Sequence, residues 1–201
     1  MYRIYSKTYK IMSNKELSKD ESLALITEMI GQAKRNVAKG GSFYFLLWGW
    51  VVMVANLGHY LIARFDWYEH PYIVWLLTIP AAIASMVHGA RRSKESPVKS
   101  HLDNLYGQIW LAVFIGVVII LFFMDSVNYN INAIILTFAG IGTFISGQAL
   151  RFTPLSMGGI ALWIASVVAF NLNPIDQYLV GAVGILAGYL VPGYLLRKAE
   201  K

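Results

Sequence analysis

Six long apolar stretches dominate this chain of 201 residues. A helix that crosses a bilayer needs about 20 predominantly apolar residues, because each residue rises about 1.5 Å and the hydrocarbon core is about 30 Å thick. The stretches that meet this requirement cover residues 43–63, 72–90, 105–124, 131–150, 155–170 and 178–196. We therefore predict an all-α fold, a polytopic membrane bundle of six transmembrane helices with an N-terminal cytoplasmic amphipathic helix.

Positive charge is divided unevenly between the two sides of this bundle. When the stretches are threaded through a bilayer, Arg64 alone among the 17 lysines and arginines falls on one side. The connections on that same side carry the acidic residues Asp66, Glu69, Asp125 and Asp176. Because basic residues that flank membrane spans stay on the cytoplasmic face, we expect both termini to be cytoplasmic. This topology accounts for the net charge of +6, so we expect no nucleic-acid partner.

The first 42 residues form a cytoplasmic segment that contains one amphipathic helix, predicted over residues 18–39. Ser18 and Glu21 have the spacing of a capping box, and Gly40 follows the last periodic residue. Its apolar face forms the expected arm interface, which consists of Leu23, Ile26, Ile30, Ala33 and Val37. Residues 43–196 are the expected transmembrane domain, and 197–201 are a cytoplasmic tail. Translation could start at Met1 or at Met12, and we take a start at Met12 as a hypothesis. The sequence before residue 43 lacks the pattern of a signal peptide.

The composition argues against several chemistries. The chain contains no cysteine, which excludes disulfides, thiolate metal sites and cysteine nucleophiles. No acidic or basic residue lies in the middle of a stretch, which argues against carboxylate-based proton coupling and intramembrane protease chemistry. We therefore predict no catalytic residue, no cofactor and no metal ligand.

Polar residues near the outer ends of the stretches form a first candidate cluster, which comprises Asn56, His59, Asp66, Glu69 and His70. A histidine near carboxylates titrates around neutral pH and is a common metal ligand, so these residues are candidates for a metal-binding or proton-sensing cluster. The alternative is structural: Asn56 hydrogen-bonds to a neighbouring span while His59 reaches the interface. We favour the structural alternative, because interhelical polar contacts are common in membrane proteins.

A second candidate cluster lies at the inner end of the bundle and comprises His88, Arg91, Arg92, Gln108, Gln148 and Arg151. These residues are predicted to line a polar vestibule or to bind an anionic lipid headgroup. Alternatively, they are simply the polar ends of the spans, which is the interpretation we favour.

Small residues mark the expected helix-packing surface of the sixth stretch, at Gly181, Gly184 and Gly188. They let helix backbones approach closely. We favour packing within the chain, and packing between copies in a homo-oligomer is the alternative.

The segments GSFYFLLWGW (41–50), ANLGHY (55–60) and YIVWLLTIP (72–80) resemble those of a family of small multispanning bacterial membrane proteins without assigned activity. The resemblance implies a bacterial inner-membrane location. It carries over no functional residue.

Two hypotheses of function follow. The first is a non-enzymatic accessory or regulatory membrane protein, whose arm contacts a cytoplasmic or membrane protein partner or the membrane lipid. The second is a transporter or channel for a small neutral or weakly charged solute, with a pathway along Asn56, His59, Pro80, Gln108 and Gln148. An enzyme acting on lipid is a distant third, because no acid and base converge at one interface.

Overall fold

The computed structural model describes residues 18–24, 27, 41–95 and 101–200. The chain divides into two units, Met1–Asn36 and Val37–Lys201, of which the second contains the membrane domain. Within the described ranges the membrane domain is helical. Its elements in chain order are α1 (Gly41–Phe65), a 3₁₀ segment (Pro71–Leu77), α2 (Thr78–Glu95), α3 (His101–Phe122), a 3₁₀ turn (Asp125–Val127), α4 (Ile131–Leu150), α5 (Thr153–Phe170), α6 (Asp176–Ile185), a π-helical segment (Leu186–Leu190) and α7 (Val191–Ala199).

Six helical stretches in this part of the chain are long and apolar enough to cross a membrane. The predicted all-α fold with six spans is therefore confirmed. The sixth span combines α6, the π segment and α7. It ends at Ala199, so the helix continues into the predicted tail.

The core of the bundle is formed by α1, α4, α5 and the sixth span. Of the most apolar part of the sixth span, 56% is buried, whereas none of the corresponding part of α3 is buried. The second span is almost as exposed and packs mainly against α1, while α3 packs against α4. The second span and α3 therefore lie at the periphery of the bundle, where their exposed apolar side chains suit a lipid environment.

Glycines allow α5 and the sixth span to pack closely. A side chain on Gly184 would lie 2.7 Å from the Ala165 Cβ, and one on Gly188 would lie 2.4 Å from Leu162 Cγ. These neighbours belong to α5 of the same chain, which is the arrangement that the sequence analysis favoured.

The π segment precedes Pro192, which is fully buried. Because proline has no N–H, Pro192 cannot donate to the carbonyl of Gly188 as a regular helix would require. That carbonyl instead faces Gly158, where an added Cβ would lie 2.6 Å from the oxygen. Pro80, by contrast, lies in the first turn of α2, where a proline is tolerated.

The arm is described at its start only. The Ser18 N–H donates to Glu21 Oε2 at 2.9 Å, and the Glu21 N–H donates to Ser18 Oγ at 3.2 Å. This reciprocal pair confirms the predicted capping box, and residues 19–24 are helical. Ile26, Ile30, Ala33 and Val37 lie outside the described residues, as does the predicted end of the helix.

Candidate functional site

The two ends of the bundle differ in charge and are named accordingly. The basic end is where α1 begins and α7 ends, and it carries Arg91, Arg92, Arg151 and Arg197. The acidic end carries Asp66, Glu69, Asp125 and Asp176.

A cluster of amide side chains, called here the amide cluster, joins three spans near the acidic end and consists of Asn56, Asn130, Asn132 and Gln177. The Asn132 Nδ2 group donates to Asn56 Oδ1 at 2.7 Å and to the Gln177 backbone carbonyl at 2.9 Å. All three residues are buried. The sequence-based expectation that Asn56 bonds to a neighbouring span is therefore confirmed.

Gln177 is fully buried in the first turn of α6. Its Nε2 donates to Asn130 Oδ1 at 2.8 Å and to the Leu172 carbonyl at 3.3 Å. Its Oε1 has no hydrogen-bond partner among the residues that the structure describes. The cluster thus contains one buried acceptor that is not paired.

Gly181 explains why the amides can meet. A Cβ at this position would lie 2.6 Å from Asn56 Oδ1 and 2.7 Å from Asn132 Nδ2, which are the two atoms of the shortest interhelical bond in the cluster. Any larger residue would have to displace that bond. Gly181 was expected to serve helix packing, and here it also makes room for polar atoms.

His59 contacts a different set of residues. Its Nδ1 accepts a hydrogen bond from the indole N–H of Trp75 at 3.1 Å, and its ring stacks on Tyr178 with centroids 3.7 Å apart. An accepting Nδ1 means that the proton of the neutral imidazole sits on Nε2. His59, which lies on α1, thereby contacts both the 3₁₀ segment and α6.

The predicted outer cluster is therefore not one site in the structure. His70 contacts the rings of Tyr68 and Tyr72, not that of His59, with centroids 5.7 and 5.3 Å away. Asp66 and Glu69 are exposed in the connection after α1. Within the described ranges, no group of three histidine, aspartate or glutamate residues is arranged to hold a metal ion.

A second polar cluster, called here the hydroxyl cluster, lies between α3, α4 and the π segment. The Tyr189 hydroxyl is hydrogen-bonded to Thr143, and the Tyr106 hydroxyl to Ser146. Thr143 and Ser146 each donate to a carbonyl one turn earlier in α4, at 2.7 and 2.6 Å. The remaining hydroxyl lone pairs are therefore free to accept from the tyrosines.

Buried apolar residues lie between the two clusters. Along α4, Leu136 and Ala139 lie between Asn132 and Thr143, and both are buried. Along the sixth span, the buried Ile185 lies between Gln177 and Tyr189. The bundle thus has a polar cluster towards each end and buried apolar side chains between the two clusters.

The predicted inner cluster is dispersed over several contacts. His88 stacks on Phe43 at 4.0 Å, and its Nε2 is buried without a partner among the described residues. Arg92 lies near Tyr44, and Gln148 donates to Ser156 at 3.3 Å. The remaining members, Arg91, Gln108 and Arg151, are exposed. The structure therefore places these residues around the basic end, where His88 and Arg92 both lie near Tyr44.

Glu200 makes a contact that the sequence did not indicate. Its carboxylate accepts the Ser42 N–H at 2.9 Å and the Ser42 hydroxyl at 2.6 Å. Ser42 lies in the first turn of α1, which contains no acidic residue of its own. Glu200 therefore supplies the N-terminal acceptor that α1 lacks.

Sequence reasoning missed Asn132, Gln177 and Trp75 as partners of its candidates. Asn132 and Gln177 had a usable signal, because each is an amide inside a predicted span or within one residue of it. Trp75 had none, because a tryptophan near a span end is ordinarily an interface residue.

The fold and these clusters define the chain as an α-helical polytopic membrane protein. Comparisons with models of protein families, with curated proteins and with solved structures give no match for it. The resemblance to small bacterial membrane proteins therefore remains an expectation from the sequence.

Proposed function

We propose that the chain is a non-enzymatic accessory or regulatory protein of the bacterial inner membrane, with both termini in the cytoplasm. The segregation of charge between the basic and acidic ends supports this orientation. The bacterial setting rests on the sequence resemblance. The proposal of a non-enzymatic role rests on the lack of paired acidic groups inside the spans.

The arm carries the proposal. Its helix begins with a complete capping box, so its start is specified by its own sequence. Leu23 lies in the first turns of that helix and is 62% exposed. A well-capped helix that presents an apolar side chain is suited to bind a partner or a membrane surface.

The test compares the full chain with three variants, each released from its own membranes in mild detergent and studied by native mass spectrometry. The first variant begins at Ser42, and the second carries Leu23→Glu on the predicted apolar face. The third is the matched control Ala24→Glu, which adds the same charge one residue away, on the predicted polar face. We expect a stoichiometric protein partner with the full chain and the control, and none with the other two.

If all four proteins, or none of them, carried a bound protein, the arm would not be the binding site for a protein partner. The lipid alternative is then tested by hydrogen exchange of the arm in nanodiscs of anionic and of neutral lipid. Slower exchange in anionic nanodiscs, lost in Leu23→Glu alone, would indicate a membrane surface as the arm's partner. Equal exchange in both lipids would refute the proposed role of the arm.

The second candidate function is a transporter for a small neutral or weakly charged solute. The observation that favours it is the pair of polar clusters towards the two ends of the bundle, to both of which α4 and the sixth span contribute. The π segment of the sixth span adds to this, because such irregular turns are frequent at functional sites. Proteoliposomes should then take up solute specifically, and inert vesicles over a broad panel of neutral solutes would contradict it.

A further inference from the structure

Gln177 has a buried acceptor whose orientation is fixed by its neighbours. The two atoms close to its Nε2 are Asn130 Oδ1 and the Leu172 carbonyl oxygen, and both are acceptors. Rotating the amide by 180° would place Oε1 against two oxygens, so Nε2 must be the atom that faces them. Oε1 is therefore the atom left without a donor in the described part of the chain.

A fully buried carbonyl oxygen without a donor is costly in an apolar bundle, and native proteins rarely contain one. The surroundings of Gln177 are polar, because Asn132 donates to its backbone carbonyl. Gln177 also lies in the first turn of α6, next to the exposed connection that contains Asn173. A molecule from the acidic end thus has a short distance to travel.

The charge of the missing donor follows from the same residues. The acceptor groups of the amide cluster are neutral amides, and the neighbouring carboxylate of Asp176 accepts a hydrogen bond from Asn173 Nδ2 at 2.6 Å. A cation beside Oε1 would lose its hydration at a fully buried position whose hydrogen-bonding groups are neutral amides, which is strongly unfavourable. An uncharged donor carries no such cost.

We propose that Gln177 Oε1 is the acceptor of a binding site for one small uncharged O–H or N–H donor, located among α1, α4 and α6 in the amide cluster. The donor comes from one of two sources, a resident water molecule or a polar solute from the acidic end. The site does not depend on the arm, so its test is independent of the test of the proposed accessory role.

The experiment is a high-resolution structure of the full chain in nanodiscs, determined without additive and again with formamide. We expect density at hydrogen-bonding distance from Oε1, about 2.7–3.2 Å. One water-sized peak in both maps identifies a resident water. A larger peak that forms with formamide identifies a solute site. No density near Oε1 in either map would overturn the proposal.

Two variants connect that density to the acceptor. Gln177→Met keeps the length of the side chain but removes Oε1, whereas Asn130→Ala removes a partner of Nε2 and leaves Oε1 in place. We expect the density, and any saturation-transfer signal from formamide, to disappear in Gln177→Met and to persist in Asn130→Ala. The melting temperature of each variant confirms that it is folded. Density that persists in Gln177→Met would refute the assignment to Oε1.

Discussion

Replacing Gly181 by alanine should destabilise the bundle by forcing apart two buried amides. The new Cβ would lie 2.6 Å from Asn56 Oδ1 and 2.7 Å from Asn132 Nδ2. Those atoms are bonded to each other at 2.7 Å, so the methyl group cannot fit unless their bond lengthens or breaks. Neither amide is a flexible exposed group, because both side chains are buried.

The expected magnitude combines two costs and one gain. Interhelical hydrogen bonds in membranes contribute about 0.6 kcal/mol on average and up to about 1.7 kcal/mol. Overpacking a tight contact adds about 1–3 kcal/mol. Alanine gains about 0.5–1 kcal/mol over glycine inside a helix. The net loss should therefore be about 1–3 kcal/mol.

Gly107 provides the matched control. It lies in α3, and a Cβ added there meets no atom within 4 Å. Gly107→Ala therefore gains the same helical preference without a clash. In reversible unfolding of the purified protein in mixed detergent micelles, Gly181→Ala should be less stable than Gly107→Ala by about 2–4 kcal/mol.

A background substitution isolates the amide pair. In Asn132→Ala the hydrogen bond between the two amides is already absent, and so is one of the two polar side chains that the new methyl group meets. The cost of Gly181→Ala should therefore fall by about 0.5–3 kcal/mol in that background. If Gly181→Ala and Gly107→Ala unfold within about 0.5 kcal/mol of each other, the close approach at Gly181 is not a determinant of stability and the reasoning is refuted.

Three further predictions concern contacts outside the amide cluster. Glu200→Ala should lower the free energy of unfolding by about 1–2 kcal/mol. Ser42→Ala should lower it by less, because the backbone N–H of residue 42 keeps its acceptor in that variant. Fully additive losses in the double variant would contradict a direct contact. A hydrogen bond to Asp125, together with its negative charge, raises the pKa of Tyr129. The stability from this contact is thus present below the ordinary tyrosine pKa and is lost as the pH rises through the raised one, and Asp125→Asn should lower the pKa of Tyr129 towards about 10. Alkaline absorbance titration with Tyr129→Phe as the blank measures this, and an unchanged pKa would count against it. Ser18→Ala should weaken the start of the arm helix by about 1 kcal/mol, seen as about fivefold faster hydrogen exchange in the first turn, while unchanged exchange would show that the cap is not needed.

Part of the candidate site was readable from the sequence. Asn56 is an amide inside an apolar span, and the general cost of such a group indicated an interhelical bond. The hydrogen-bond partner of Asn56 could not be predicted, because a polar residue at the same depth in any other span could equally well have formed the bond. His59 shows the opposite outcome: the cluster hypothesis placed it beside the acidic residues that follow in the chain, whereas its contacts are Trp75 and Tyr178. Neither contact was indicated by the sequence.

The sequence by itself determined the spans, the capping box of the arm and the segregation of charge between the two ends. Each of these three features depends on neighbouring residues or on transfer between water and lipid, and none of them requires knowledge of distant contacts. The tertiary structure alone decided that Asn132 meets Asn56 and that Glu200 meets Ser42, which is 158 residues away. The rotation and depth of each helix set these pairs. In spans that are apolar all round, periodicity does not specify rotation, so close packing at residues such as Gly181 decides which polar atoms meet.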